Sequence, residues 1–394
     1  MNNPSSLHPS SLNRPLLAVL LFAVSIVGLS LGATLPLVAL RLLDNGASAL
    51  QIGILSAVPA AGMILAAALI DRLCQLMSRR RLYLLCFVLC AASTAAIEFS
   101  SHSLWLLATA RLALGVGMGI AIILGEAWVN ELCGENNRGT IVALYATSFT
   151  AFQLLGPTLV ALLGAQTPWV VLLVSAGHLV ALATVAFAMP EEGIHEHVEG
   201  PRSFSLAGFL RVAPALCMGV LFFSFFDSVV LSLFPVYASS HGYAVGIAAF
   251  MATVILLGDM ICQLPLGWLS DRLDRPSLHL ACGVAAMLIG LGLPWLIGQT
   301  SLLWPALMLL GAVAGGVYTL ALVLIGQRFR GRDLVTANAA AGMLWGVGSL
   351  LGPLLSGSLM DLGPQGVPVA LALAAGLFVA TAAASVRRTG VRHA

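Results

Sequence analysis

This sequence contains no lysine: all 18 of its cationic residues are arginine. The Walker A motif of nucleotide-driven motors requires a lysine that reaches the nucleotide phosphates. The chain therefore has no such motif, which excludes an ATP-driven pump that acts alone.

Charged residues are scarce too, at 9% of the chain, whereas apolar residues make up 59%. No soluble globular domain of ordinary composition has this balance. The seven cysteines lack C-x-x-C spacing, so they predict small buried side chains rather than disulfides or a metal site. No H-E-x-x-H zinc motif occurs, and we do not expect an enzyme.

The sequence does contain twelve long apolar stretches, each near or above the roughly 20 residues that cross a bilayer. They cover residues 15–42, 50–70, 82–99, 104–130, 139–164, 169–189, 212–238, 245–270, 278–297, 303–327, 334–360 and 367–385. The first is too long to be the core of a signal peptide. We therefore predict an all-α polytopic membrane protein with 12 transmembrane helices, numbered here as spans 1 to 12.

Internal repeats divide these spans into two sets of six. Residues 69–73, LIDRL, recur as 269–273, LSDRL, and residues 155–157, LGP, recur as 351–353. Such repeats predict two homologous six-helix bundles. The predicted organisation is a cytoplasmic tail (1–14), an N-terminal bundle (15–189), a linker (190–211), a C-terminal bundle (212–386) and a second cytoplasmic tail (387–394).

The placement of arginine predicts the orientation. If the N-terminus is cytoplasmic, every arginine except Arg41 and Arg111 falls on the cytoplasmic side. We expect a multi-pass protein of the inner cell membrane with both termini and the linker in the cytoplasm. His195 and His197 form an H-x-H pair in that linker. A solvated loop is the favoured interpretation over metal binding, and no metal or cofactor is expected.

The segment 111–157 carries the strongest functional signal. Arg111 lies inside an otherwise apolar span, which costs at least about 2.5 kcal/mol unless the arginine is paired or wetted. At about 100° per residue, Gly115 and Gly119 share its helix face, where a neighbouring backbone could approach closely. Glu126 returns to within about 60° of that face. One helix thus directs a cation and an anion towards the same partners.

This segment resembles helices 4 and 5 of the major facilitator superfamily, in particular its YcaD-like branch. In the superfamily an arginine followed by spaced glycines marks helix 4, and a Gly-Pro pair marks helix 5. The matching residues are Arg111, Gly115, Gly119, Glu126, Trp128, Asn130, Asn137, Arg138, Gly139, Tyr145, Gly156 and Pro157. The resemblance implies the major facilitator fold and alternating access to a cavity lined by spans 1, 4, 7 and 10.

The turn after span 8 is similar to the superfamily's gating-loop motif, G-x-L-x-D-R-x-G-R. It contributes Gly267, Asp271 and Arg272. The first copy, after span 2, keeps Asp71 and Arg72 but lacks both glycines. The resemblance implies contacts with the opposite half that exist only while the cytoplasmic side is closed. The alternative is that these charges only set the topology.

Two carboxylates, Asp227 in span 7 and Asp259 in span 8, lie near the middle of the membrane. An ionised carboxylate is expensive there, so each could take up and release a proton. The alternative is a static polar contact between helices, for which Gln263 lies one turn from Asp259. Glu98 and Asp361 lie at periplasmic ends, where we expect water around them.

We therefore predict a proton-coupled secondary transporter that exports a small organic compound. The candidates for coupling substrate to protons are Arg111, Glu126, Asp227 and Asp259. The Gly156–Pro157 pair resembles the core of the superfamily's antiporter motif.

Two alternatives stay open: an uptake symporter with the opposite flux, and a membrane sensor that binds a ligand without moving it. The expected partners are the substrate, protons and the lipid bilayer, without nucleic acid, and the protein is expected to function as a monomer.

Single-cysteine labelling on a cysteine-free background tests the predicted topology. We expect Gly200→Cys, in the linker, to react in intact cells with a membrane-permeant maleimide and to be protected from an impermeant one. Asn45→Cys, between spans 1 and 2, is the control that both reagents should label. Labelling of position 200 from outside the cell would contradict the orientation.

Overall fold

The computed structural model of the chain describes residues 14–100, 103–132, 138–189, 206–270 and 272–390. Within these ranges it contains thirteen α-helices and no strand. They are α1 (Arg14–Asp44), α2 (Ala49–Leu76), α3 (Arg79–Glu98), α4 (Leu104–Leu132), α5 (Arg138–Leu163), α6 (Trp169–Ala188), α7 (Leu206–Val212), α8 (Pro214–Ser240), α9 (Val245–Ser270), α10 (Arg275–Leu296), α11 (Thr300–Arg328), α12 (Gly331–Leu362) and α13 (Gly366–Gly390).

Twelve of these helices are long and apolar enough to cross a membrane, which confirms the predicted fold class. The exception, α7, has 7 residues, of which all but Val212 lie in the segment predicted to be the linker. Below, α1–α6 are called the N-half and α8–α13 the C-half. Spans 1 to 6 correspond to α1–α6, and spans 7 to 12 correspond to α8–α13.

The largest difference from the predicted spans is at the end of α2. This helix continues to Leu76, because residues 71–76 contain no glycine or proline to stop it. The next helix begins after Ser78, whose Oγ accepts a hydrogen bond from the N–H of Arg81 at 3.4 Å. Asp71 and Arg72 therefore lie in the last turns of a helix rather than in a loop.

The turns after α1 and α8 use the same chemistry. Gly46 has φ 75° and Gly242 has φ 90°, a left-handed conformation that glycine adopts without strain. The two positions differ by 196 residues, as do Pro157 and Pro353 (242 − 46 and 353 − 157). The sequence repeat is thus repeated in the turns as well as in the helices.

Within each half, helices cross closely where one of them presents a glycine. A Cβ on Gly115 of α4 would collide with the backbone of Pro59 in α2. In the C-half, a Cβ on Gly315 of α11 would collide with Asp259 of α9. Both positions shift by 200 residues between the halves (315 − 115 and 259 − 59). Small residues allow this approach, because lipid supplies no hydrophobic force between helices.

An ion pair ties three parts of the N-half together. Arg41, near the end of α1, lies 2.9 Å from Glu98 at the end of α3. Its Nε and Nη2 also donate to the carbonyl oxygens of Ala165 and Thr167, at 2.7 and 2.9 Å. Glu98 was expected to be solvated, but Arg41 holds it against the turn between α5 and α6.

The two halves meet closely at one end of the bundle, called here the far end. It contains the turns 45–48, 164–168, 241–244 and 363–365, whereas the opposite end, the linker end, carries the ends of α6 and α13. At the far end, Gly53 of α2 faces the backbone of Pro353 in α12, and Gly357 of α12 faces Ala49. The α2–α12 contact is therefore nearly backbone to backbone.

A second contact between the halves joins α5 to α9 at the same end. Gly246 lies against the backbone of Ala161, and the hydroxyls of Thr158 and Thr253 are 3.1 Å apart. The described parts of the linker end are more open. There, Glu126 of α4 is exposed although it interacts electrostatically with Tyr318 of the C-half. The structure thus represents a conformation that is closed at the far end and open at the linker end.

We expect a disulfide in the double variant Ala161→Cys/Gly246→Cys to lock the far end. A Cβ at position 246 would lie 4.0 Å from the Cα of Ala161, which is within reach of a disulfide. A protease site placed in the linker separates the halves on a gel unless they are cross-linked. Oxidation should join the halves and stop transport, and reductant should restore it. Each single variant is the control, and failure of the pair to cross-link would contradict the closed far end.

Candidate functional site

The polar contact between Asp227 and Gln153 crosses from one half to the other inside the membrane. Asp227 lies in α8 and is 4% exposed. Nε2 of Gln153, from α5, is 3.2 Å from Oδ1 and 3.0 Å from Oδ2 of its carboxylate. Because the amide is neutral, it compensates a carboxylate charge only in part. A carboxylate therefore lies at the boundary between the halves with a partner that carries no charge.

A cavity of about 20 Å³ lies beside this carboxylate. Ser56 and Pro59 of α2 line it from the N-half, and Asp227, Trp345 and Ser349 line it from the C-half. Such a volume holds about one water molecule. The Oγ of Ser56, 3% exposed, has no hydrogen-bond partner among the residues that the structure describes. The halves have closed around a small polar site.

Asp259 occupies a different environment, inside the C-half. Nε2 of Gln263, one turn along α9, donates to its Oδ1 at 3.3 Å, and Gly315 of α11 lies directly against the carboxylate. This is the polar contact that the sequence offered as the alternative to a proton site. The carboxylate is also near enough to Asp227 for a direct electrostatic interaction.

Arg111 is fully buried, at 0% exposure, and its guanidinium faces backbone carbonyls. Its Nε donates to the carbonyl oxygen of Leu55 at 2.7 Å, and its Nη1 donates to that of Thr34 at 3.2 Å. Leu55 precedes Pro59 by four residues, and a proline has no N–H to donate to that carbonyl. Arg111 thus satisfies the acceptor that Pro59 leaves unpaired in α2. The sequence predicted Arg111 as a residue that couples substrate to protons; in the structure its Nε and Nη1 donate to carbonyls of α2 and α1, and it is not among the residues that line the cavity.

Glu126 is exposed, near the linker end of α4. Its carboxylate interacts electrostatically with Tyr145 of α5 and with Tyr318 of α11, which belongs to the other half. At 1.5 Å per residue it lies about 22 Å from Arg111 along the helix. The structure therefore does not bring these two charges together, although they share a face of α4.

The family model of the Major Facilitator Superfamily matches residues 20–258 and 216–393 of this chain. The chain belongs to the major facilitator superfamily. It is therefore a secondary transporter rather than an enzyme.

Two relatives within the major facilitator superfamily support the resemblance to its YcaD-like branch. The uncharacterized MFS-type transporter YfkF of Bacillus subtilis (strain 168) is 26% identical over 361 residues, which cover 87% of this chain and 88% of YfkF. The uncharacterized MFS-type transporter YcaD of Shigella flexneri serotype 5b (strain 8401) is 26% identical over 362 residues, covering 89% and 90%. The branch inferred from segment 111–157 is thereby confirmed.

Solved structures of superfamily members are similar over almost the whole chain. The nucleoside transporter NupG aligns with a TM-score of 0.72 at 14% identity, covering 93% of this chain and 98% of NupG. A D-xylose–proton symporter aligns with a TM-score of 0.68 at 16% identity, covering 93% and 97%. At these identities the likeness shows the fold alone.

The C-half copy of the superfamily's gating motif lies at the end of α9. Gly267 is there in open space, and the guanidinium of Arg272 stacks on the indole of Trp268, 3.7 Å from its centroid. Asp271 lies outside the described residues. Arg272 therefore rests on a neighbouring ring of its own segment while the linker end is open.

The helix 4–5 motif of the superfamily has a packing role wherever the structure describes it. Trp128 is 3% exposed and meets the ring of Tyr83 edge to face, with centroids 5.4 Å apart. The motif residues Gly115, Gly119 and Gly156 lie at close helix crossings, and Pro157 lies inside α5. Outside the described part lie the side-chain surroundings of Asp71, Asn130, Arg138 and Gly139, and the whole of Asn137, His195 and His197.

Among the described residues, no three His, Cys, Asp or Glu side chains come together as a metal site would require.

The sequence analysis missed Gln153, Ser56 and Trp345. For Gln153 a signal existed, since it is the single amide in a span without a charged residue, and polar side chains in such helices usually face another helix. Serine and tryptophan are common in membrane helices, so neither Ser56 nor Trp345 stood out.

A double-mutant cycle tests the pairing of Arg111 with the carbonyl that Pro59 leaves free. Arg111→Ala leaves a buried acceptor unsatisfied, which costs about 1–3 kcal/mol and should lower the Tm of the purified protein. Pro59→Ala supplies an N–H for Leu55, so Arg111→Ala should cost less in that background. We expect a coupling of about 0.5–3 kcal/mol. Strictly additive effects would contradict the pairing.

Proposed function

We propose that this transporter exports a small organic compound in exchange for protons, and that Asp227 carries the proton. The observation behind the proposal is a buried carboxylate at the boundary between the halves whose partner, Gln153, is neutral. An ionised carboxylate in such surroundings is costly, and a bound proton removes that cost. The site is thereby suited to loading and releasing a proton.

Alternating access requires the bound proton to have different free energies in the two conformations. Gln153 and Asp227 belong to different halves, so a rocking motion of the halves changes their separation. Asp227 also lines the cavity, whereas Asp259 packs inside the C-half against Gly315. We therefore assign the proton to Asp227, with Asp259 as a neighbour that disfavours a second charge.

Arg111 has an indirect role in this scheme. Its guanidinium supports α2 at Pro59, and α2 forms the far-end contact with α12 through Gly53. Arg111 is therefore a positioning residue, which holds the helix that lines the cavity and closes the far end. Glu126 is an exposed carboxylate near the linker end, where a compound would enter from that side.

Export is preferred to uptake because of the Gly156–Pro157 pair in α5. Gly156 lies directly against the backbone of Gly32 in α1, so the element that resembles the superfamily's antiporter motif forms a tight helix crossing. The structural neighbours NupG and the D-xylose–proton symporter are named as transporters of a nucleoside and of a sugar. Their substrates are not carried over to this chain.

Everted membrane vesicles with an acidic interior test the proposal. A compound library is screened for accumulation that depends on the pH gradient. An exporter accumulates its substrate in the lumen under these conditions, whereas an uptake symporter does not. Asp227→Asn should abolish gradient-driven accumulation. Asp361→Asn, the same change at an exposed position of the far end, should behave as wild type.

Two results would overturn the proposal. Accumulation by Asp227→Asn at the wild-type rate would remove Asp227 as the proton carrier. Transport that ignores the pH gradient for every transported compound would remove proton coupling altogether.

A further inference from the structure

We infer that the exported compound is a monovalent organic cation with an aromatic or otherwise apolar body, whose charge binds at Asp227 and whose body lies against Trp345. The inference rests on the proposed transport function and adds the substrate class to it. It is carried by the charge, the unpaired hydroxyl and the aromatic rings around the cavity between the halves.

The charge that faces the cavity is negative. Asp227 is the single charged residue among those that line it, and Gln153, which faces Asp227 from α5, is neutral. Asp259 adds a second carboxylate within electrostatic range. The nearby cation, Arg111, is not among the residues that line the cavity, and its Nε and Nη1 donate to two backbone carbonyls. An anionic substrate would therefore meet carboxylates without a compensating cation among the described lining residues.

The cavity also contains a polar group with no assigned function. Ser56 is 3% exposed and lines the cavity, yet its Oγ has no hydrogen-bond partner among the described residues. A buried hydroxyl without a partner costs free energy. A ligand with an N–H group, or a water beside the ligand, would satisfy it. Ser56 thus marks the side of the cavity opposite Asp227 as a polar binding position.

Aromatic rings extend the site from the cavity towards the linker end. The indole of Trp345 lies 5.1 Å from the ring of Tyr318 and 5.5 Å from that of Phe223, measured between centroids. Tyr318 in turn interacts with the exposed Glu126. Rings attract organic cations through their faces, and carboxylates attract them through charge. The rings of Tyr318 and Trp345 thus lie between Glu126, near the open end, and Asp227 at the cavity.

The size of the cavity indicates when the compound binds. About 20 Å³ holds one water and no organic molecule, so binding of the compound requires the residues that line the cavity to move apart. Asp227 then pairs either with a proton or with the cation. One proton enters for each monovalent cation that leaves, so the charge on the protein is the same before and after the exchange.

Two probes of nearly the same shape and opposite charge test the inference. Binding of radiolabelled tetraphenylphosphonium and of tetraphenylborate to the purified full-length protein is measured by equilibrium dialysis at neutral pH. We expect saturable binding of tetraphenylphosphonium, release of a proton into weakly buffered solution on binding, and no saturable binding of tetraphenylborate. Asp227→Asn should weaken tetraphenylphosphonium binding at least about tenfold, and Asp361→Asn should leave it unchanged.

Ser56→Ala gives an independent check, because it removes a hydroxyl that makes no hydrogen bond to any described residue. Ethidium, whose amino groups can donate to Ser56, should bind this variant a few-fold more weakly. Tetraphenylphosphonium, which has no N–H, should bind it as tightly as wild type. An equal affinity of ethidium for both proteins would remove Ser56 from the site.

Three outcomes would overturn the cation class: no tetraphenylphosphonium binding up to about 1 mM, binding that Asp227→Asn does not weaken, or equal binding of tetraphenylborate. Failure here can be distinguished from failure of the transport proposal. If the vesicle screen finds a neutral or anionic compound whose gradient-driven transport requires Asp227, proton-coupled export stands and the cation class is wrong.

Discussion

A carbonyl group inside a membrane must find its hydrogen bond within the protein, and this constraint shapes the N-half. Pro59 leaves the carbonyl of Leu55 in α2 without its helical donor, so Arg111 supplies one from α4. Beside this contact, Ser56 and Pro59 line the cavity, and the start of α2 meets α12. The hydrogen bond between Arg111 and Leu55 thus reduces both the free-energy cost of burying the arginine and that of leaving the carbonyl unpaired.

The repeat makes the C-half a natural comparison for this contact. At a shift of 200 residues, Asp259 stands where Pro59 stands, and Gly311 stands where Arg111 stands. Gly311 lies against the carbonyl of Ile255, the counterpart of Leu55, so the same helix crossing exists without an arginine. The same helix arrangement therefore contains a cation, Arg111, bound to backbone carbonyls in the N-half, and a carboxylate, Asp259, packed against a glycine in the C-half. The two halves share their packing and differ in charge.

Much of the fold could be predicted from the sequence, because apolar length and the repeat depend only on local composition. The placement of Asp227 near the middle of span 7 was predictable for the same reason. The partners were harder to predict, since helix periodicity gives the face on which a residue lies but not the helix that it meets. Arg111 shares a face with Glu126, yet its acceptors belong to α1 and α2. Gln153 meets Asp227 across a boundary that exists only when the two halves are assembled.

The stacking of Arg272 on Trp268 has a consequence for the balance between conformations. The gating motif implies that this guanidinium contacts the opposite half when the linker end closes. The contact between Arg272 and Trp268 must then be broken first. A cation over an exposed indole is worth about 0.5–1 kcal/mol. That amount shifts a two-state population by roughly two- to fivefold. Stacking on the indole would then favour the conformation with an open linker end, and it would raise the fraction of the unloaded transporter in that conformation.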